Sequence, residues 1–141
     1  MGFAAALAVA LVFVWTGMLL AISFLETPLK FRAPDVTLRI GLGIGRLVFR
    51  ALNAVESVLA VALLAAVFAG DVGTGAETAA VVAAVLLATQ VGLVRPRLSR
   101  RSDRVLAGED APRSHAHYVY VVAEVGKLAV LLVAGALLLS A

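Results

Sequence analysis

The chain has 141 residues, of which 62% are hydrophobic and only 15% charged, with a formal net charge of +3 and a mean hydropathy of +1.04. That composition lies outside the range of water-soluble domains and makes a lipid bilayer the main solvent. Cysteine is absent, which excludes disulfides, thiolate metal sites and a cysteine nucleophile.

A bilayer core about 30 Å thick takes about 20 helical residues to cross. The length therefore predicts a single domain, an all-α membrane protein built as an antiparallel four-helix transmembrane bundle. The first span is predicted over residues 4–25. No basic residue precedes it, and residues 1–25 are uncharged, longer than the apolar core of a signal peptide, so it reads as a retained span. Pro28 and Pro34 bracket the first connection. The second span is predicted over residues 42–69, and Gly70, Gly73 and Gly75 supply the next turn. The third span covers residues 76–94, and Pro96 and Pro112 bracket the connection that follows. Within residues 98–115, Leu98, Val105 and Leu106 give a short amphipathic turn suited to a membrane surface. The fourth span covers residues 118–140.

Basic residues gather at two of the three connections. Lys30, Arg32, Arg39, Arg46 and Arg50 flank the first, and Arg95, Arg97, Arg100, Arg101, Arg104 and Arg113 flank the third. The positive-inside rule then places these connections in the cytoplasm and both termini outside, as expected of a multi-pass protein of the cell membrane. The same arginines are suited to anionic lipid headgroups at the cytoplasmic face, and no nucleic-acid partner is needed to explain them.

Two spans are too short in apolar length. Residues 57–70 and 128–141 are the long uncharged runs of the second and fourth, and 14 residues cover about 21 Å of the roughly 30 Å required. Charged side chains must lie inside the hydrocarbon. Counting about 20 residues inward from the outer boundary puts Glu56 inside the bilayer with Arg50 near its edge. The same count puts Glu124 just inside, Lys127 deeper, Gln90 at that depth, and Ser23 just inside with Glu26 and Lys30 near the boundary. Helical spacing gives each set one face: Arg46, Arg50, Asn53 and Glu56 on the second span, His117, Tyr120, Glu124 and Lys127 on the fourth, and Ser23, Glu26 and Lys30 on the first. The bundle is thus predicted to have a polar interior in its cytoplasmic half and an apolar outer half.

An ionised side chain near a helix centre costs about 2.5–3.5 kcal/mol on insertion scales, so pairing is required. The second and fourth spans run in the same direction, which predicts a Glu56–Lys127 ion pair. Glu124 and Glu26 are then expected to face Arg46, Arg50 or Lys30. Such a network either fixes helix register or forms a binding site or proton path.

The remaining signals are weaker. Gly41, Gly43 and Gly45 lack the strand context of a nucleotide loop, and Gly41 and Gly45, four residues apart, instead predict close helix approach. His115 and His117, without cysteine or a Glu-x-x-His pair, fall short of a metal ligand set, and no cofactor is indicated. Trp15 and Thr16 lie mid-span, suited to core packing or to a pocket for a flat apolar ligand.

Residues 17–31 with Glu26-Thr27-Pro28, then Arg46, Phe49 and Asn53, Gln90 before Arg95-Pro96, and a histidine opening the last span together resemble a family of small four-helix membrane proteins. That family includes transmembrane protein two-hundred-and-five and its bacterial relatives. The resemblance implies the four-helix fold and little about mechanism. A looser likeness, through Glu26, Pro28 and His117, is to anthrone-oxygenase-like membrane proteins, and it implies oxidation of a lipid-soluble aromatic substrate.

The preferred expectation is a membrane protein that binds or translocates a small solute or a proton through a charged cavity in the cytoplasmic half. Its lining would be Glu26, Lys30, Arg46, Arg50, Asn53, Glu56, Gln90, His117, Tyr120, Glu124 and Lys127, with no catalytic residue assigned. An accessory subunit of a larger membrane complex and a membrane enzyme are the alternatives, and a homodimer is consistent with the first reading.

Overall fold

The computed structural model describes residues 1–109 and 115–140, and Pro112 and Arg113 lie outside them. Four helices, each long and apolar enough to cross a membrane, make up the chain: α1 (Phe3–Lys30), α2 (Leu38–Ala69), α3 (Thr74–Leu106) and α4 (His115–Ser140). α1 packs on α2 and α4, and α3 packs on the same two, so α1 and α3 lie on one diagonal of a square bundle and α2 and α4 on the other.

Three helices run further than the apolar pattern predicts. Thr37 opens α2 four residues early because its Oγ1 accepts the Ile40 N–H at 3.2 Å, satisfying one of the free donors of the first turn. Pro28 and Pro96, expected to bracket connections, lie inside continuous helices instead. A π-helical segment precedes each proline, Leu20–Glu26 in α1 and Gln90–Val94 in α3. A proline removes a hydrogen bond and crowds the carbonyl four residues back, and a widened turn relieves both effects. Thr27 N–H bonds back to Ile22 O, five residues away, and Arg95 N–H does the same to Gln90 O. The region expected to be an amphipathic turn is the end of α3. There Val105 is buried and Leu98 and Leu106 are half-buried, all facing the bundle.

Away from the arginines, the core is apolar and built on small residues. Ala76, Ala79, Ala80 and Ala83 of α3 pack against Val12 and Trp15 of α1, Leu63 and Val67 of α2, and Leu131 and Leu138 of α4. Helices in lipid gain no hydrophobic driving force from one another, so close van der Waals fit must hold them together, and alanine allows it. A second apolar cluster, Phe49, Leu52, Val94 and Tyr120, closes the basic end. Gly41 and Gly45 allow close approach as expected: a side chain on Gly41 would overlap the Phe31 ring, and one on Gly45 would touch Lys30 Nζ.

The buried positions repeat. Ala8, Val12, Trp15 and Leu19 of α1 correspond to Ala76, Ala80, Ala83 and Leu87 of α3, 68 positions on. Leu52, Glu56, Leu63 and Ala66 of α2 correspond at the same interval to Tyr120, Glu124, Leu131 and Ala134 of α4. Pro28 and Pro96 share the interval too, and both π segments end two residues before their proline. The two helix pairs thus bury matching positions at one interval, with like helices parallel and diagonally opposed.

Candidate functional site

All four helices contribute to a polar layer between the two apolar clusters. At its centre is Lys127 of α4, fully buried, with Nζ 2.6 Å from Glu56 Oε2 and 2.7 Å from Glu124 Oε1. Nζ also donates to Gln90 Oε1 at 2.7 Å, so all three ammonium hydrogens have acceptors. The predicted Glu56–Lys127 pair and the shared depth of Glu56, Gln90 and Lys127 are both present. Glu124, expected to face Arg46, Arg50 or Lys30, reaches none of them and meets Lys127, Gln90 and Ser23 instead. It sits one turn before Lys127 on the same face, where the i,i+3 relation brings the two together, and the arginine heads turn towards the basic end, where they remain partly exposed.

The two carboxylates are held differently. Glu124 Oε1 also accepts Gln90 Nε2–H at 2.8 Å, and Oε2 accepts Ser23 Oγ–H at 2.5 Å. Glu56 Oε2 accepts the Trp15 indole N–H at 2.7 Å, but its buried Oε1 has no hydrogen-bond partner among the described residues. Glu124 thus has donors on both oxygens and Glu56 on one only.

The same interval relates the two carboxylates of this centre. Glu56 and Glu124 occupy equivalent positions, which brings two carboxylates to the middle of the bundle. At that interval Lys127 corresponds to Leu59, Gln90 to Ile22, and Trp15 to Ala83. One cation therefore serves two anions.

Beside the layer, towards the basic end, lies a groove of about 300 Å³ between α2 and α3. Arg46, Arg50, Asn53 and Ser57 form its α2 wall and Arg95 and Ser99 its polar α3 wall. The π segment before Arg95 widens the turn, so that Gln90 points into the layer while the Arg95 guanidinium lies 4.9 Å from the Phe49 ring centre and 5.6 Å from that of Tyr120. Arg46 pairs with Asp103 at 2.6 Å, tying the overhanging ends of α2 and α3 together. Asn53 Oδ1 and Tyr120 OH are buried without a partner among the described residues.

The other expected site residues fall elsewhere. Glu26 meets Lys30 at 3.7 Å, as expected, with the lysine side chain buried beside Gly45 of α2. His117 is half-buried and edge-on to Tyr118, 5.5 Å between ring centres. Neither lines the groove, so the residues expected to share one cavity divide among a packed layer, a separate groove and positions outside both. Among the described residues, no group of three His, Asp or Glu side chains is placed to hold a metal ion. Ser23, expected on the polar face of the first span, and Trp15 and Arg95 were not among the residues expected to line the cavity. A mid-span indole needs an acceptor for its N–H, and that requirement is the sequence signal that points Trp15 at a carboxylate.

No family model, curated protein or solved structure matches the chain. Geometry alone therefore bears on function. Arg46, Asn53 and Arg95 line the groove, the Phe49 ring lies under Arg95, and Gln90 bridges the layer.

Proposed function

We propose that this is a cell-membrane protein, with its basic end in the cytoplasm, that takes up and releases a proton at Glu56. The observation behind this reading is one lysine between two carboxylates in a fully buried layer. With all three groups ionised the layer has a surplus negative charge, and an uncompensated ion in hydrocarbon costs several kcal/mol. A proton removes the surplus. Glu124 already has three donors and is satisfied as a carboxylate, whereas Glu56 Oε1 has none and is free to hold the proton. Asn53 and Tyr120, a turn from Glu56 and Glu124 respectively, offer polar atoms on the way to the basic end. On the other side Val12, Leu63, Val67 and Leu131 pack tightly, which favours exchange at one face over conduction across the bilayer.

Proton counting tests the reading. Detergent-solubilised protein taken from about pH 9 to about pH 5 is expected to take up about one more proton per chain in the wild type than in Glu56→Gln. Equal uptake by the two proteins would show that Glu56 does not exchange.

A further inference from the structure

We infer that the groove between α2 and α3 binds a phosphate ester that also bears a hydroxyl, and that the headgroup of an anionic glycerophospholipid is its natural source. Three guanidiniums converge on the groove against one carboxylate, since only Arg46 is paired there, with Asp103. Arg50 has no ion-pair or hydrogen-bond partner among the described residues. Arg95 is held in place by aromatic rings, which fix its plane without neutralising it. Planar guanidinium forks match phosphate oxygens two at a time, so such a cluster favours phosphate over a simple halide.

Asn53 makes the ligand more specific. Its side chain is more than nine-tenths buried and lines the groove, and Oδ1 is an acceptor with no donor. A phosphate diester has no proton to offer it, but a neighbouring hydroxyl does. A glycerol headgroup supplies both features within one turn of helix.

The flanks point to a lipid. Ala54 and Val91 complete the groove below the arginines, and both are exposed on the outside of membrane-spanning segments. An acyl chain leaving the headgroup would run along them into the hydrocarbon, whereas a soluble ester would leave that apolar wall uncovered. This inference does not depend on proton exchange at Glu56.

Lipid retention measures it. Protein reconstituted in a mixture of phosphatidylglycerol and phosphatidylcholine, then released for native mass spectrometry, is expected to keep one phosphatidylglycerol per chain, about tenfold in preference. Arg50→Gln and Arg95→Gln should each lower that preference about fivefold, the effect of one cation at a membrane surface, while Arg97→Gln, exposed and outside the groove, should leave it unchanged. Asn53→Leu should narrow the preference for phosphatidylglycerol over phosphatidylmethanol, which has the same charge and no hydroxyl. Displacement of the lipid by millimolar glycerol phosphate would support the phosphate site and make a soluble ester its source. Equal retention of both lipids, or an Arg97→Gln loss as large as that of Arg50→Gln, would overturn the site.

Discussion

Lys127→Met is expected to destabilise the bundle by about 3–5 kcal/mol, the cost of breaking a buried ion pair by removing one partner. Both carboxylates lose the one cation that pairs with them among the described residues. Holding one of them protonated at neutral pH, against an ordinary value near 4.3, costs about 3–4 kcal/mol by itself. The deficit should therefore shrink towards about pH 4–5, where carboxyl groups protonate at little cost. Unfolding followed by circular dichroism in detergent reads both effects. Adding Glu56→Gln to Lys127→Met should recover only part of the loss, because Glu124 remains charged with Gln90 and Ser23 alone as donors. Only the triple change with Glu124→Gln should come within about 1–2 kcal/mol of the wild type, as replacements of whole buried ionic clusters often do. Full recovery in the double variant would mean that Glu124 is not part of the centre.

The two glutamates, equivalent by position, should respond unequally to the same substitution. Glu124→Gln puts an amide where three donors converge on two oxygens, so an N–H must face a donor. The lost charge-assisted bonds and the unsatisfied group cost about 3 kcal/mol. Glu56→Gln keeps an oxygen for Lys127 and Trp15 and places its N–H where Oε1 has no donor. It also removes the surplus charge, so its cost should stay within about 1 kcal/mol. Equal losses, or the reverse order, would contradict the placing of the proton on Glu56.

The four spans were legible in the sequence because lipid imposes hydropathy and length on any helix that crosses it. The depth of Glu56, Gln90 and Lys127 followed from the same counting, since a short apolar run leaves a charged residue nowhere else to go. What counting could not supply was orientation within a level. Glu124 was expected to reach arginines on other helices, but the nearer Lys127 on its own helix wins through spacing and shared burial. The π segments left no hydropathy signal, because Leu20–Glu26 reads as ordinary apolar helix. Only the prolines that follow mark them, and a proline after a span more readily suggests its end. The matching interval was hidden by composition: alanine, leucine and valine recur throughout, so Pro28 with Pro96 and Glu56 with Glu124 were its few distinctive coincidences. Arg95 looked like an orientation signal, and only the widened turn beneath it directs it over Phe49 and Tyr120.

Infrared spectroscopy of the protein across pH tests most directly whether Glu56 holds the exchangeable proton. A buried carboxylic acid gives a carbonyl band separate from that of carboxylates, and its frequency follows the hydrogen bonds the group receives. As the pH is lowered, the wild type should gain one such band. Trp15→Phe, which removes the donor to Glu56, should shift it, and Ser23→Ala, which removes a donor to Glu124, should leave it in place. No band at any pH, or a band that moves with Ser23→Ala and ignores Trp15→Phe, would contradict the account.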